Sequence, residues 1–423
     1  MIKMIFGGRQ MSDVSRLLMT GIVCLFVACI GSGAIAATIT VDAGGADRID
    51  TPVWVALDAL GGVDADRGVR LTEITADGRR RVPAQVDATA GRLCWILDGK
   101  TPAGTKRTYE ASAGRARGRG QGGVEIVQDD KVLDVQVGGT KVVRFNHAIV
   151  PPPAGQDPLF ERGAFIHPLW SPAGAVLTNI HPADHIHHMG LWMPWTTTRF
   201  EGRGVDFWNL KSGQGTVRFV KFAGTTQGPV FGGFRSIQEH VDLKAPGGEK
   251  VALNEEWDVR VWNTGGADKG FWVVDFVSTQ ECASSSPLEL PAYRYGGFGF
   301  RATAEWKQGV ADYLTSEGKS RKDGHGTRAR WCIAYGPTSK GDTGIVFMSH
   351  PSNHEYPEPM RLWPSGDIFF NWCPVQEKDW VLEPGKKYVF NYRMYVYDGK
   401  MTAEQAERCW QDFGNPPVVS VAQ

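Results

Sequence analysis

Four of the ten histidines fall within eight residues, His181-Pro-Ala-Asp-His-Ile-His-His188. On an extended segment His185 and His187 share a face, because strand side chains alternate with period two. Two imidazoles on one face can begin a metal site that a third ligand completes, or can serve as an acid/base pair. The residue types leave both roles open. The expected catalytic set is therefore His185 and His187, with His181, Asp184 or His188 completing or orienting the site. If a metal is bound through His185 and His187, ligation this rich in imidazole favours zinc or another divalent first-row ion over calcium.

Aromatic residues crowd the next twenty positions: Trp192, Trp195, Phe200, Phe207 and Trp208, with Glu201, Asp206 and Asn209 among them. A pyranose stacks its apolar face on a ring while its hydroxyls take polar partners. Trp192, Asp206 and Trp208 are thus candidate substrate contacts. His350 lies in the dense segment His350-Pro-Ser-Asn-His-Glu-Tyr-Pro357, followed by Arg361-Leu-Trp-Pro364 and Phe369-Phe-Asn-Trp372. Arg294 and Arg301 sit on the Gly-rich stretch Tyr293–Arg301. Either arginine can pair with a substrate carboxylate, as in a uronic acid, or with one of the protein's own. Arg301 and His350 complete the expected substrate-binding set. The sequence holds no P-loop, no G-x-S-x-G elbow and no H-E-x-x-H, which argues against nucleotide, serine-hydrolase and zincin chemistry. A formal net charge of +0 over 423 residues gives no reason to expect nucleic acid as a partner.

The elements that must hold these residues read as strands. Residues 1–37 carry Arg16, the apolar run Leu17–Ile30 and a small-residue site at Ala34-Ile-Ala36, the pattern of an export signal. That predicts a periplasmic or secreted mature protein without a membrane span. Phe26-Val-Ala-Cys29 fits a lipoprotein box poorly, so no lipid anchor is expected. Residues 38–112 form short β-prone segments parted by Gly and Asp turns, a small β-barrel-like domain. Residues 113–123, rich in Gly and Arg, read as a linker. From 124 to 415 strand signals continue, including a hairpin at Gly138-Gly139 and the long run Lys387–Tyr397. This predicts an all-β chain dominated by a large antiparallel β-sandwich. One helix closes it, capped by Thr402 with Gln405 three residues on and ended by Gly414 and Pro416. The five cysteines after the leader are far apart and odd in number, so buried free thiols are expected.

Phe165-Ile-His-Pro-Leu-Trp170, Val176–Trp192 and Val205-Asp-Phe-Trp208 resemble the bacterial PmoA family, a group of unknown function named in databases for methane oxygenase. The resemblance rests on Asp184, His185, His187, His188, Gly190, Leu191, Asp206, Phe207 and Trp208. It departs at Met189, where the family often has Arg. Gly299, Arg301 and His350-Pro351 also look familial. The resemblance implies a sandwich like that of the galactose mutarotases. Val82-Pro-Ala-Gln-Val-Asp87 is similar to the small barrel that precedes some exo-acting pectin lyases.

These readings combine into an exported carbohydrate-active enzyme: a hydrolase, lyase or epimerase acting on a glycan or its fragments through the histidine cluster. Two rivals stand beside it. In one, a non-catalytic glycan-binding surface protein uses the same aromatics. In the other, a cupin-like metal oxygenase or isomerase opens its motif at His185-x-His187, although Leu191 and Trp192 stand where that motif needs Glu.

Overall fold

Alternating burial along the chain explains its layers. In Phe231–Asp242, Lys250–Trp262 and Phe271–Cys282 every second side chain is buried, the pattern of strands with one face on a core. The computed structural model describes residues 36–61, 63, 68–114 and 122–422. Among these, the main body is two eight-stranded sheets. One has long strands, running in order Gly215–Thr226, Phe231–Asp242, Lys250–Trp262, Phe271–Cys282, Tyr388–Asp398, Gly341–Ser349, Trp331–Thr338 and Asp312–Thr315. The other has shorter strands, in order Met360–Leu362, Phe369–Trp372, Gly299–Arg301, Leu191–Trp192, Phe165–Leu169, Thr140–Asn146, Val132–Val137 and Val124–Gln128. Every pairing is antiparallel.

The sheets meet face to face as a sandwich. Phe145 of the short sheet packs on Trp257 of the long one, with ring centroids 5.9 Å apart, and Phe370 stacks on Phe347 at 4.5 Å. One continuous apolar core joins them. The hairpin at Gly138-Gly139 forms as the sequence predicts: both glycines take positive φ (57° and 80°), and Val137 pairs with Thr140. Such primed turns match the twist of the strands they join.

Residues 36–113 build a separate small core of Ile39, Val53, Leu71, Leu93, Trp95 and Tyr109 between a five-stranded and a three-stranded sheet. The five-stranded sheet borrows its edge strand, Val418–Val421, from the end of the chain. The preceding helix, Ala403–Gly414, opens on the expected capping box, with Gln405 Oε1 accepting from the Thr402 N–H at 2.8 Å. Buried Arg48 reaches from the small unit to Asp412 on this helix at 3.3 Å. Cys94, Cys332, Cys373 and Cys409 are buried free thiols, and Cys282 is half-buried.

The expected leader lies outside the described residues except for Ala36 and Ala37, which open the first strand. Residues 115–121 of the expected linker are likewise outside them. Among the described residues no helix is long and apolar enough to cross a membrane.

Candidate functional site

The histidine segment is not a strand, which corrects the extended reading of His185 and His187. Pro182 and Asp184 are turn formers, and they set two successive turns. The His185 N–H donates to the Pro182 carbonyl at 3.1 Å, and the His188 N–H donates to the His185 carbonyl at 2.9 Å. His181, at φ 48°, closes the loop by donating its N–H to the His188 carbonyl at 2.9 Å. The loop is thus a compact knot hung from the short sheet, and its imidazoles cluster instead of alternating.

Their geometry is specific. The His185 ring stacks on His188 with centroids 4.7 Å apart, and His188 stacks on Phe369, also at 4.7 Å. His187 stands nearly perpendicular to His188 at 4.8 Å. His185, His187, His188, Arg301, Arg294, Tyr295, Arg361, Trp363, Phe369 and Trp208 line one cavity of about 220 Å³. No Asp or Glu is among those lining residues.

Asp184 sits beside the cavity and orients it. One carboxylate oxygen lies 3.1 Å from His185 Nδ1, and the other accepts from Arg301 Nη2 at 2.7 Å. Arg301 also bonds Asp367 at 3.1 Å and is buried. Partial burial works against the charge on Asp184, but its bonds from His185 and Arg301 outweigh it and hold the carboxyl below its usual range. The contact with Asp184 engages His185 through Nδ1 and leaves Nε2 for a substrate.

The other two imidazoles are kept neutral. Burial, aided by the His185 ring, depresses His187 to about 4. Burial also pushes His188 well below the ordinary histidine value. His188 Nδ1 and Arg301 Nε are buried with no partner among the described residues. Tyr295 donates its hydroxyl to Asn209 Oδ1 at 3.0 Å, and Asn209 Nδ2 donates to Asp206 at 2.6 Å. Burial raises Tyr295, so its phenol stays protonated.

Of the remaining expected residues, His181 sits at the loop base with Nε2 3.1 Å from the Phe160 carbonyl. Asp206 caps its own turn by accepting from the N–H groups of Trp208 and Asn209. Trp192 lies beneath the cavity wall, against His188 and Trp208, and does not line it. His350 is placed elsewhere, 5.1 Å from the Phe413 ring on the closing helix, and does not line the cavity. Glu201 bonds Lys250 and Ser286, away from the lining residues. Among the described residues no group of three or more His, Cys, Asp or Glu is arranged to hold a metal ion. The expected pair, His185 and His187, stand edge to face with ring centroids 5.8 Å apart, and no third His, Cys, Asp or Glu among the described residues completes a set with them.

Sequence reasoning did not assign Tyr295, Arg361, Trp363 or Phe369 to this site. Their density in aromatic and basic side chains was visible, but nothing local tied them to a loop more than a hundred residues earlier. Pairing of Gly299–Arg301 between Leu191–Trp192 and Phe369–Trp372 brings them there.

Residues 132–411 match the family of unknown function DUF6807. Fold, site and match together place the chain in that family of β-sandwich proteins. The resemblance to the PmoA family is thereby corrected: the Asp184–Leu191 and Asp206–Trp208 segments on which it rested fall inside the matched region of DUF6807, and short motifs weigh less than a match across the whole sandwich. No curated protein matches the chain. Among solved structures, it is similar to the heparan sulfate lyase HepC from Pedobacter heparinus, as a mutant and as the unmutated enzyme. The identity is 11% in both, with TM-scores of 0.27 and 0.25. Each match covers 69% of this chain and 38% of that one. A TPR-domain containing protein from Parabacteroides distasonis is similar at 11% identity and a TM-score of 0.24, covering 88% of this chain and 57% of that one. TM-scores this low carry no argument about fold or substrate.

Proposed function

We propose that this protein is a carbohydrate-active enzyme that begins its reaction by taking a proton from a bound sugar, as a lyase or an epimerase does. The observation that carries the reading is the Arg301–Asp184–His185 chain at the edge of an aromatic-walled cavity. A base oriented by a carboxylate, with its second nitrogen free, is the recurring arrangement for proton abstraction. Asp184 stabilises the imidazolium that forms on His185. In the lyase branch, the C–H electron pair becomes a C=C bond, the neighbouring glycosidic C–O bond breaks, and the Tyr295 phenol gives its proton to the departing oxygen. Solvent then restores the phenol and takes the proton from His185. In the epimerase branch, solvent supplies a proton to the opposite face of the same carbon and takes the one held by His185.

The hydrolase branch has less support. Glycoside hydrolysis ordinarily uses two carboxyl groups flanking the bond, and none lines this cavity. Trp208, Trp363 and Phe369 offer the flat apolar surfaces on which a sugar ring stacks. The cavity is small beside the roughly 300–1,000 Å³ of drug-sized sites and suits a single ring.

The test is incubation of the mature protein with a glycan panel in deuterated buffer. The readouts are ultraviolet absorbance of a new C=C bond and deuterium uptake by mass spectrometry. Activity that His185→Gln lowers by about 10²–10⁴-fold, with binding kept, is the expected result. Binding with no turnover by wild type would favour the non-catalytic glycan-binding alternative. Turnover untouched in His185→Gln would remove His185 as the base.

A further inference from the structure

Three arginines line the cavity, and among the described residues only Arg301 has a carboxylate partner. Arg301 is held by Asp184 and Asp367. Arg361 is buried, 7% exposed, yet it makes no hydrogen bond or ion pair to any described residue. Its guanidinium instead lies between two rings, 5.1 Å from the Tyr295 centroid and 4.6 Å from that of Trp363. The ionisable groups that act most on its charge are Arg294, Tyr295, Cys373 and Tyr293, none of them a carboxylate. Arg294 stands at the exposed mouth, 5.6 Å and 5.8 Å from the rings of Tyr293 and Tyr295, with no carboxylate partner among the described residues.

A guanidinium partly withdrawn from water and left unpaired carries a cost, and its open side faces the cavity. Ring faces offset part of that cost, but they leave the fork of N–H donors unused. That fork matches a carboxylate in two parallel bonds. A second cation close by strengthens the demand for an anion. Burial and the neighbouring Arg294 both disfavour the charge on Arg361, and a bound anion relieves both effects.

We infer that the substrate is an acidic sugar, a hexuronate unit whose carboxylate is bound by Arg361 and Arg294 while its ring stacks on the aromatic wall. This rests on the proton-abstraction reading and deepens it. A carboxylate attached to the carbon that loses the proton takes up the charge that develops there, and the arginines neutralise it. The His185 base and the Arg361 fork line the same cavity, so one sugar ring can meet both.

Calorimetric titration of the full mature chain tests this. The probes are glucuronate and galacturonate, glucose and galactose, and glucose 6-sulfate. Uronate binding at least about tenfold tighter than that of the neutral sugars, and lost by about ten- to a hundredfold in Arg361→Gln, is expected for a charge-assisted bidentate contact. Arg361→Lys keeps the charge but not the fork and should fall between. The acidic-to-neutral comparison on wild type needs no variant, so it decides the matter even if Arg361→Gln fails to fold. Equal affinity for acidic and neutral sugars, or unchanged uronate binding in a folded Arg361→Gln, overturns the inference. Sulfate bound as tightly as uronate overturns the carboxylate assignment. Uronate bound through Arg361, with no uronate-containing glycan turned over, sinks the enzyme reading and leaves the acidic-sugar assignment standing. Turnover of neutral glycans indifferent to Arg361 does the reverse.

Discussion

Asp184 holds His185 and Arg301 at once, and that double contact makes it the residue on which the site turns. Its Oδ2 fixes the His185 ring and its Oδ1 meets the buried Arg301. Asp184→Asn keeps the size but supplies one acceptor where two are used, and it no longer stabilises an imidazolium. Turnover should fall by roughly 10²–10⁴-fold, with substrate binding little changed, and the residual rate should depend differently on pH. A fall in binding of the same size as the fall in rate would instead mean that Asp184 contacts the substrate. The chemistry-bearing residue types were legible: His185, His187 and His188 stand out in the sequence and all line the cavity. The partnership of Asp184 with Arg301 was not, because 117 positions separate them.

The loop 181–188 depends on its anchor. Gly190 has a φ of 63°, and a Cβ there would stand 2.4 Å from the Ile166 carbonyl oxygen. Left-handed geometry and a backbone contact this close both exclude a side chain. Gly190→Ala should cost about 2–4 kcal/mol, measured by denaturant unfolding, and should weaken turnover by shifting the loop off the sheet. An unfolding midpoint equal to wild type would mean that the strand pair Ile166–Leu191 yields easily. The same loop marks where periodicity misled. Histidines at alternate positions suggested a strand, and the turn chemistry of Pro182 and Asp184 won. Elsewhere, long strands and the capped helix were readable, since period-two alternation and a Thr402–Gln405 box are local.

Over the whole molecule, two groups outside the cavity lining should bend acid stability in opposite directions, beside the buried His187 and His188. His167 is pushed by burial, and by nearby Arg144 and His181, to about 4 from the ordinary 6.5. Between those values the unfolded chain binds more protons, so stability falls as pH drops from 6.5 toward 4. The loss should be ~1–3 kcal/mol after allowance for partial exposure. Glu358 runs the other way. Burial outweighs its bonds from Ser349, Asn353 and Tyr392 and raises it to about 7 from 4.5. The folded chain then holds the extra proton, and stability from this group is lost as pH rises from 4.5 through 7. Thermal melts across pH 4–8 should show a shallower acid slope for His167→Gln than for wild type, and a shallower loss toward neutral pH for Glu358→Gln. Parallel curves for all three proteins would show that neither group changes its proton affinity on folding.

The sequence by itself determined the class of secondary structure, the hairpin at Gly138-Gly139, the closing helix and the presence of a histidine cluster, because these follow from patterns a few residues long. It did not determine that Val418–Val421 returns to pair with Ile39–Asp42, or that His350 faces the closing helix and not the cavity. Nor did it reveal that Arg301 is paired while Arg361 is left without a carboxylate. Those outcomes depend on which strands neighbour one another. Strand order is set by packing one large core between two sheets, and no local rule encodes it.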